Sequence, residues 1–429
     1  MRAGEPPERV SPRWPAFGEL VPLDGRLLRQ VTFVTEARDD HERVLLYLNG
    51  ITDAHRSDIR GALLDEVPGS RLRVIDHLLP DDLVLSYSFV HGSDLASSAP
   101  TGSELDGTAL ASSALAGYAV AGGGASDGGI PDGIGESFEG WFRVLGAGRP
   151  DERNPRRLIN PFRSPASVLV APGGRRHPAW ESCGEDVAPV VRTAEWERLP
   201  LADGFEGRSA GVLWGAPDRP VLLLLDAEQW EQVGIREAVA RVPGTETIVL
   251  VPSGTVEERW AVLPHPERAA TLVQSALRAV ARGLGGPVDP AGVVVAGQSF
   301  GGLAAAAVVM ERPDLALTAV VQSGSFHFEA AGPARDPEGQ SGDLLLRLAE
   351  PAGTARLAGR RLVVQSGTEE QGMTALATAF AEAARAAGAE VEQRVYAGGH
   401  DHAWWGTGLF DAWDHLRASH PIREVDHLG

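Results

Sequence analysis

The sequence predicts an α/β protein in two parts, a small antiparallel β-sandwich followed by a parallel sheet with crossover helices. Three observations predict it. Residues from about 27 to 91 form short alternating runs broken by turn signals, and beyond about 190 continuous apolar runs alternate with helical stretches. The length, 429 residues, is more than one ordinary core needs. The expected division is a β-sandwich over 1–165, a connector over 166–204 and an α/β domain over 205–429.

The early strands are Gln30 to Val34, Val44 to Leu48, Leu72 to Ile75 and Leu83 to Val90, separated by turn signals such as Pro68-Gly69 and Pro80-Asp81-Asp82. Residues 92 to about 140 are rich in Gly, Ser and Ala with little hydrophobic periodicity, so much of this insertion is expected to be mobile. The segment from Pro150 to Arg157 reads as a proline-punctuated connector. Buried parallel strands are expected at 221–225, 247–251, 292–296, 317–321, 361–365 and 390–396. Helices are expected between them at 267–282, at 301–311 ended by Pro313, and at 373–387 ended by Gly388.

Composition narrows the function. A formal charge of −19 argues against nucleic acid as a partner, because a phosphate backbone would be repelled over most of the surface. An anionic small molecule would need a local basic patch, for which Arg153, Arg156 and Arg157, then Arg175, Arg176 and His177, and finally Arg259 with Arg268 are candidates. No apolar run approaches bilayer length, so no membrane association is expected. The N-terminus lacks the pattern of a secretory signal, and the single cysteine, Cys183, forms no internal disulfide; both suit a cytoplasmic location. No metal-ligand spacing and no phosphate-cradling glycine loop stand out, so no cofactor is implied.

The chemistry is read from Val293 to Gly302, where Gly297-Gln298-Ser299-Phe300-Gly301 begins as a buried strand ends and runs directly into a helix. With 51 glycines in the chain, the G-x-S-x-G string alone is weak. Its strand-turn-helix setting is the one a nucleophile elbow requires, with glycines where a Cβ would meet backbone, and it indicates the α/β-hydrolase arrangement. Ser299 is then the nucleophile, and the Phe300 amide is the first oxyanion donor. A base is supplied by His400 after the Gly398-Gly399 turn; His402 is a rival already entering the next helix. The acid should fall between serine and histidine in chain order, which leaves Glu369 and Glu370, with Glu370 preferred. The second oxyanion donor is expected from the amide of Ala227 or Glu228. Asp226 just before them reads equally as a helix cap.

The motifs Leu-Leu-Asp-Ala-Glu-Gln-Trp (224–230), Gly-Gln-Ser-Phe-Gly-Gly (297–302), Gln-Ser-Gly-Ser-Phe (322–326) and Gly-Gly-His-Asp (398–401) together resemble the enterochelin esterase family. The likeness extends to the N-terminal region, through Leu64 to Ser70, Ser86 to Phe89 and Asp151 to Arg157. It implies an immunoglobulin-like N-terminal domain and an α/β-hydrolase domain that cleaves the esters of a cyclic tri-serine catecholate siderophore, with iron entering only as part of the substrate. By position Ser299, His400 and Glu370 match the family's nucleophile, base and acid. Arg268 sits where the family carries an Arg followed three residues later by Glu, which here is Thr271. The family's Trp-rich stretch is replaced by Phe326-His327-Phe328. Arg268, Arg259, Trp230, Phe326 and His327 are therefore the candidate substrate-binding residues, and a related siderophore or depsipeptide ester is a second substrate class. The same triad would serve acyl transfer to an alcohol or amine, and a non-catalytic ferric-siderophore carrier is the reading that a complete Ser, Glu and His set disfavours.

Overall fold

The computed structural model describes residues 14–97, 129–159, 164–180, 195–216, 219–242, 244, 246–330, 341–350 and 357–418. The N-terminal part holds two antiparallel sheets. One contains β1 (Ala16–Leu23), β2 (Arg26–Glu36), β4 (Asp65–Glu66) and β5 (Leu72–Pro80) in the order β1-β2-β5-β4. The other runs β3 (Val44–Leu48), β6 (Val84–His91), β9 (Ala166–Val170) and β8 (Arg157–Leu158), with the short β7 (Gly148–Arg149) also on β6. Val31 and Phe33 of the first sheet share one core with Leu46, Leu48, Leu85, Tyr87 and Leu169 of the second.

Strand β6 is buried at all eight positions because both of its faces are covered. Alternate residues enter the inter-sheet core or meet outer groups, Val90 beside Ile130, Ile134, Trp141 and Val144, and Val84 beside Ala403. This arrangement corrects two expectations. The N-terminal sheet continues past residue 165, since β9 pairs with β6 from Val84↔Val170 to Tyr87↔Ser167. The glycine-rich insertion is also shorter than 92–140: Gly92–Ser97 and Phe138–Gly146 are helices, and apolar Ile130 and Ile134 anchor the stretch before the second. Residues 98–128 of that insertion lie outside the described residues, as does Cys183. The connector at 150–157 is tied to β6, where buried Tyr87 donates to Asp151 at 2.8 Å and accepts from Asn154 at 3.1 Å.

The second part is an eight-stranded sheet of β10 (Glu197–Pro200), β11 (Ser209–Leu213), β12 (Val221–Leu225), β13 (Thr247–Val251), β14 (Val293–Gln298), β15 (Thr318–Gln322), β16 (Arg361–Gly367) and β17 (Glu390–Tyr396). Its order is β10-β11-β13-β12-β14-β15-β16-β17. The β12 to β17 strands pair in parallel, and β10 and β11 add an antiparallel edge that begins before residue 205 and was not anticipated. Continuous apolar strands form because both faces are covered. Leu223, Val249, Val295, Val321 and Val364 face the helices Pro266–Leu284, Phe300–Glu311 and Gly372–Ala386, while Leu224, Leu250, Ala296, Val320 and Val363 face Ala227–Gln232, Ile235–Ala240 and His402–Ala418. The outer strand β17 alternates Glu390, Glu392 and Arg394 with Val391, Gln393 and Val395, and is only partly covered.

The chain leaves β12 for β13 on one side and then crosses to β14 on the other. The order therefore reverses at the β12/β14 pair, the kind of switch point beyond whose C-terminal strand ends open α/β sheets bind their ligands. Tyr87→Phe tests how firmly the connector is bound to β6: losing this buried hydroxyl, which both donates and accepts, is expected to lower unfolding free energy by about 1–3 kcal/mol in urea denaturation. An unchanged midpoint would show that the bond contributes nothing net.

Candidate active site

Ser299 stands between the end of β14 and the helix Phe300–Glu311 with φ 56° and ψ −120°, a conformation strained for a residue with a Cβ. Its surroundings explain how the strain is held. A Cβ on Gly297 would collide with the Gly301 carbonyl group, and one on Gly302 would lie 2.8 Å from the Gln322 carbonyl oxygen. The Ser299 amide donates to that same Gln322 oxygen at 2.9 Å, fixing the elbow to β15. The helix that follows is buried from Phe300 through Met310, so it cannot shift to relax the turn.

Glu370 and His400, expected as acid and base, face each other. Glu370 has a fully buried side chain, and its Oε1 lies 3.4 Å from Nδ1 of His400, a longer approach than a formed hydrogen bond. Glu369 turns away towards Thr368 and Arg26. Ser299 Oγ lies 3.3 Å from Ser325 Oγ rather than in a hydrogen bond with His400. The parallel strands β14, β16 and β17 end on one edge of the sheet, which carries Ser299, Glu370 and His400, and Ser299 and His400 are not hydrogen-bonded to each other.

Two supporting residues escaped the sequence reading. Ser323, with a left-handed φ of 46°, donates to Glu370 Oε1 at 2.5 Å and accepts from the indole N–H of Trp405 at 2.8 Å. Trp405 also meets the His400 ring edge to face at 4.9 Å, so one indole contacts both His400 and the serine that holds Glu370. The Gln-Ser-Gly-Ser string carried Ser323, but nothing local to it signalled an acid 47 residues away.

Asp226 does not cap its helix through its side chain. Its two oxygens instead accept from Arg259 Nε and Nη2, each at 2.8 Å, in a buried ion pair. Arg259 also stands over the Phe300 ring at 5.4 Å. Phe300, Ala227 and Glu228 begin two helices that rise from the adjacent parallel strands β14 and β12, so their amides point from neighbouring helix starts. The Glu228 carboxylate accepts from the amides of Ser253 and Gly254 at 3.1 and 2.8 Å, and burial raises its pKa against those bonds.

The candidate substrate-binding residues divide. Trp230 is fully buried, edge on to His402 at 5.2 Å, and Phe326 is fully buried, stacked on Phe380 at 4.2 Å, so both are core residues rather than pocket walls. Arg259 is committed to Asp226, and Arg268 lies exposed on its helix, donating to the Ala261 carbonyl at 2.9 Å. His327 is half-buried beside Phe328. Thr271 bonds its own helix carbonyl at Glu267. A cavity of about 380 Å³ lined by His265, Leu303, Phe328 and Arg347 lies one ring from the elbow, since Phe328 meets Phe300 edge to face at 5.6 Å. Among the described residues no cluster of three or more metal-ligating side chains is present.

His402 is enclosed by Trp230 and Trp405, and burial pushes its imidazole down to about 3, helped by His400 and Arg259. The unfolded chain binds this proton below an ordinary pKa of 6.5, while the native state does not until about 3. Native stability is therefore lost as pH falls through that window, by about 1 kcal/mol per pH unit. His402→Gln is expected to flatten that loss between about pH 6 and pH 4 in denaturant titrations; an equally steep loss would show that His402 is not its source. Trp405→Phe keeps the ring and removes the donor to Ser323. Its expected effect is a fall in kcat of about three- to tenfold with little change in KM; a KM effect alone would place the indole in substrate binding.

The chain matches the Esterase family over residues 216–416 and the enterochelin esterase N-terminal family over residues 30–180. The iron(III) enterobactin esterase of Dickeya dadantii (strain 3937) is 30% identical over 411 residues, covering 89% of this chain and 86% of that protein. The protein of the same name from Escherichia coli (strain K12) is 27% identical over 293 residues, covering 65% of this chain and 70% of its own. Ferric enterobactin esterase from Salmonella typhimurium has the same fold, with a TM-score of 0.68 at 22% identity over 95% of this chain and 98% of that one. The Shigella flexneri enterobactin esterase, solved in the presence of enterobactin, gives 0.67 at 22% identity over 93% and 96%. With 30% identity to the Dickeya dadantii protein sustained across most of both chains, this chain belongs to the enterobactin (enterochelin) esterase family.

Proposed function

We propose that this carboxylic ester hydrolase opens the ester bonds of a catecholate siderophore trilactone through an acyl intermediate on Ser299. The observation that carries the mechanism is the buried Glu370 carboxylate facing Nδ1 of His400, on the sheet edge where Ser299 is held in its strained turn. With Nδ1 turned to the acid, Nε2 is the nitrogen available to the nucleophile.

Ser299 Oγ attacks the ester carbonyl carbon while His400 takes its proton. The oxyanion that forms is received by the amide of Phe300 and that of Ala227 or Glu228. Collapse breaks the carbon–oxygen bond to the substrate's seryl oxygen, which leaves with the proton held by His400. Water then attacks the acyl-enzyme, with His400 again as base, and Ser299 is released. The buried Glu370 orients the imidazole and offsets its transient positive charge. Iron enters only as the substrate's cargo.

The substrate class is supported by the relatives named iron(III) enterobactin esterase and by the Shigella flexneri structure solved with enterobactin. Of the departures, Thr271 lies on a helix surface and Phe326 in the core. A cytoplasmic location and an immunoglobulin-like character for the two-sheet N-terminal part belong to the same proposal. The first is supported by the single cysteine, which suits a reducing compartment, and the second by the shared core of the two antiparallel sheets. No helix among the described residues is long and apolar enough to cross a membrane.

Mass spectrometry of products from enterobactin, with and without iron, beside an unrelated depsipeptide is the direct test. Free hydroxy-acid products from the trilactone are expected, and Ser299→Ala is expected to lower turnover by about 10⁴-fold or more and to abolish fluorophosphonate labelling. Turnover surviving Ser299→Ala would overturn the mechanism. Preference for the depsipeptide would overturn the substrate class, and adducts with a competing alcohol in place of hydrolysis products would show acyl transfer.

A further inference from the structure

We infer that the N-terminal β domain is part of the catalytic apparatus, with Ser86 of β6 acting through Asp401 as a positioning residue for His400; this rests on His400 being the base. Asp401 follows His400 directly and is buried to 1% exposure. Its Oδ2 accepts from both the amide and the hydroxyl of Ser86, at 2.8 and 2.6 Å. Its Oδ1 accepts from the Ala403 amide at 2.8 Å in the first turn of the helix His402–Ala418. One carboxylate therefore joins a strand of the N-terminal sheet to the start of the last helix, and the base sits one residue before the junction.

The rest of the histidine loop is held from the same side. The Ala397 carbonyl accepts from the Val84 amide at 2.8 Å, and the His400 carbonyl accepts from the Asn49 side chain at 3.5 Å. A Cβ on Gly398 would lie 2.6 Å from the Val84 oxygen, and one on Gly399 would collide with Asn49. Asn49 is itself fixed by its amide bond to the Ser86 carbonyl at 3.0 Å. Each of the five residues 397–401 thus meets β6 or Asn49, the residue after β3. The acid loop is touched as well, since Gln371 donates to the Gly50 carbonyl at 3.3 Å.

A general base needs its ring held within a fraction of an ångström, and here the α/β half supplies part of that hold, through Glu370 and Trp405 at the ring and through Glu369 and Trp404, which donate to the Gly398 and Gly399 carbonyls. The N-terminal domain supplies further backbone restraint, so losing the Ser86 hydroxyl loosens the ring's backbone while leaving the loops that follow β12 and β14 unaltered. The β6 amide still donates to Asp401 in Ser86→Ala, which keeps the loop attached.

The test measures kcat and KM of the full chain with p-nitrophenyl butyrate, active sites being counted by fluorophosphonate, alongside the rate of that labelling. Ser86→Ala is expected to lower kcat and the labelling rate together, by about 10- to 100-fold, with KM within about twofold of the parent. Asp401→Asn gives the same readout where Ser86→Ala fails to fold, and Arg26→Ala, which breaks the exposed 3.8 Å contact with Glu369 across the same junction, is expected to leave both rates unchanged. A merely structural role would lower the melting temperature and leave kcat per titrated site within about twofold, and that result, with His400→Ala inactive, would overturn the inference while sparing the triad. Turnover retained in His400→Ala would remove the base assignment itself, and the inference with it.

Discussion

The left-handed backbone of Ser299 is the constraint on which the site depends. A serine at φ 56° is uphill by itself and persists only if its neighbours permit no other path. Gly297, Gly301 and Gly302 leave the backbone room for the turn. The apolar helix behind it is buried by the sheet on one side and by Pro266–Leu284 on the other, so the turn cannot relax by moving the helix. Hydrophobic burial of that helix, a term of wide extent and no direction, is in this way converted into a directed side chain at the end of β14.

Glu370 and His400 illustrate a second conversion. A carboxylate with no solvent access requires partners, and it finds Ser323 and His400. Ser323 in turn holds the indole of Trp405, whose ring meets His400. The bonds from Ser323 to Glu370 and from Trp405 to Ser323 specify one arrangement, because moving any of the three leaves a buried polar atom without its partner.

Much of this was legible in the sequence because it is local. The buried strands 221–225 and 247–251 stand out as continuous apolar runs, and Ser299 and His400 sit in short motifs at strand ends. What was not legible is what depends on distant partners. β10 carries Glu197, Arg198 and Pro200 on a largely uncovered edge and shows no strand pattern strong enough to read. Trp230 and Phe326 read as pocket aromatics, since an aromatic that lines a site and one that fills a core have the same local sequence. Asp226 read as a cap because its guanidinium partner is 33 residues away, and Asp401 carried no signal of Ser86, which precedes it by 315. β9 was assigned to the connector because its membership of the first sheet is decided only by pairing with β6.

The composition of β17 bears on how the molecule lives among its own copies. An outermost parallel strand offers a row of unsatisfied backbone groups, and an apolar one would invite a second sheet to add to it. Here Glu390, Glu392 and Arg394 recur along the strand, with Arg361 and His415 drawn to the same glutamates. A strand from another molecule would have to strip water from these charges before reaching the backbone. The eight-stranded sheet can thus end in the open without growing, and crowding of this chain at high concentration meets an electrostatic barrier at the one flank that the hydrolase half leaves to parallel addition.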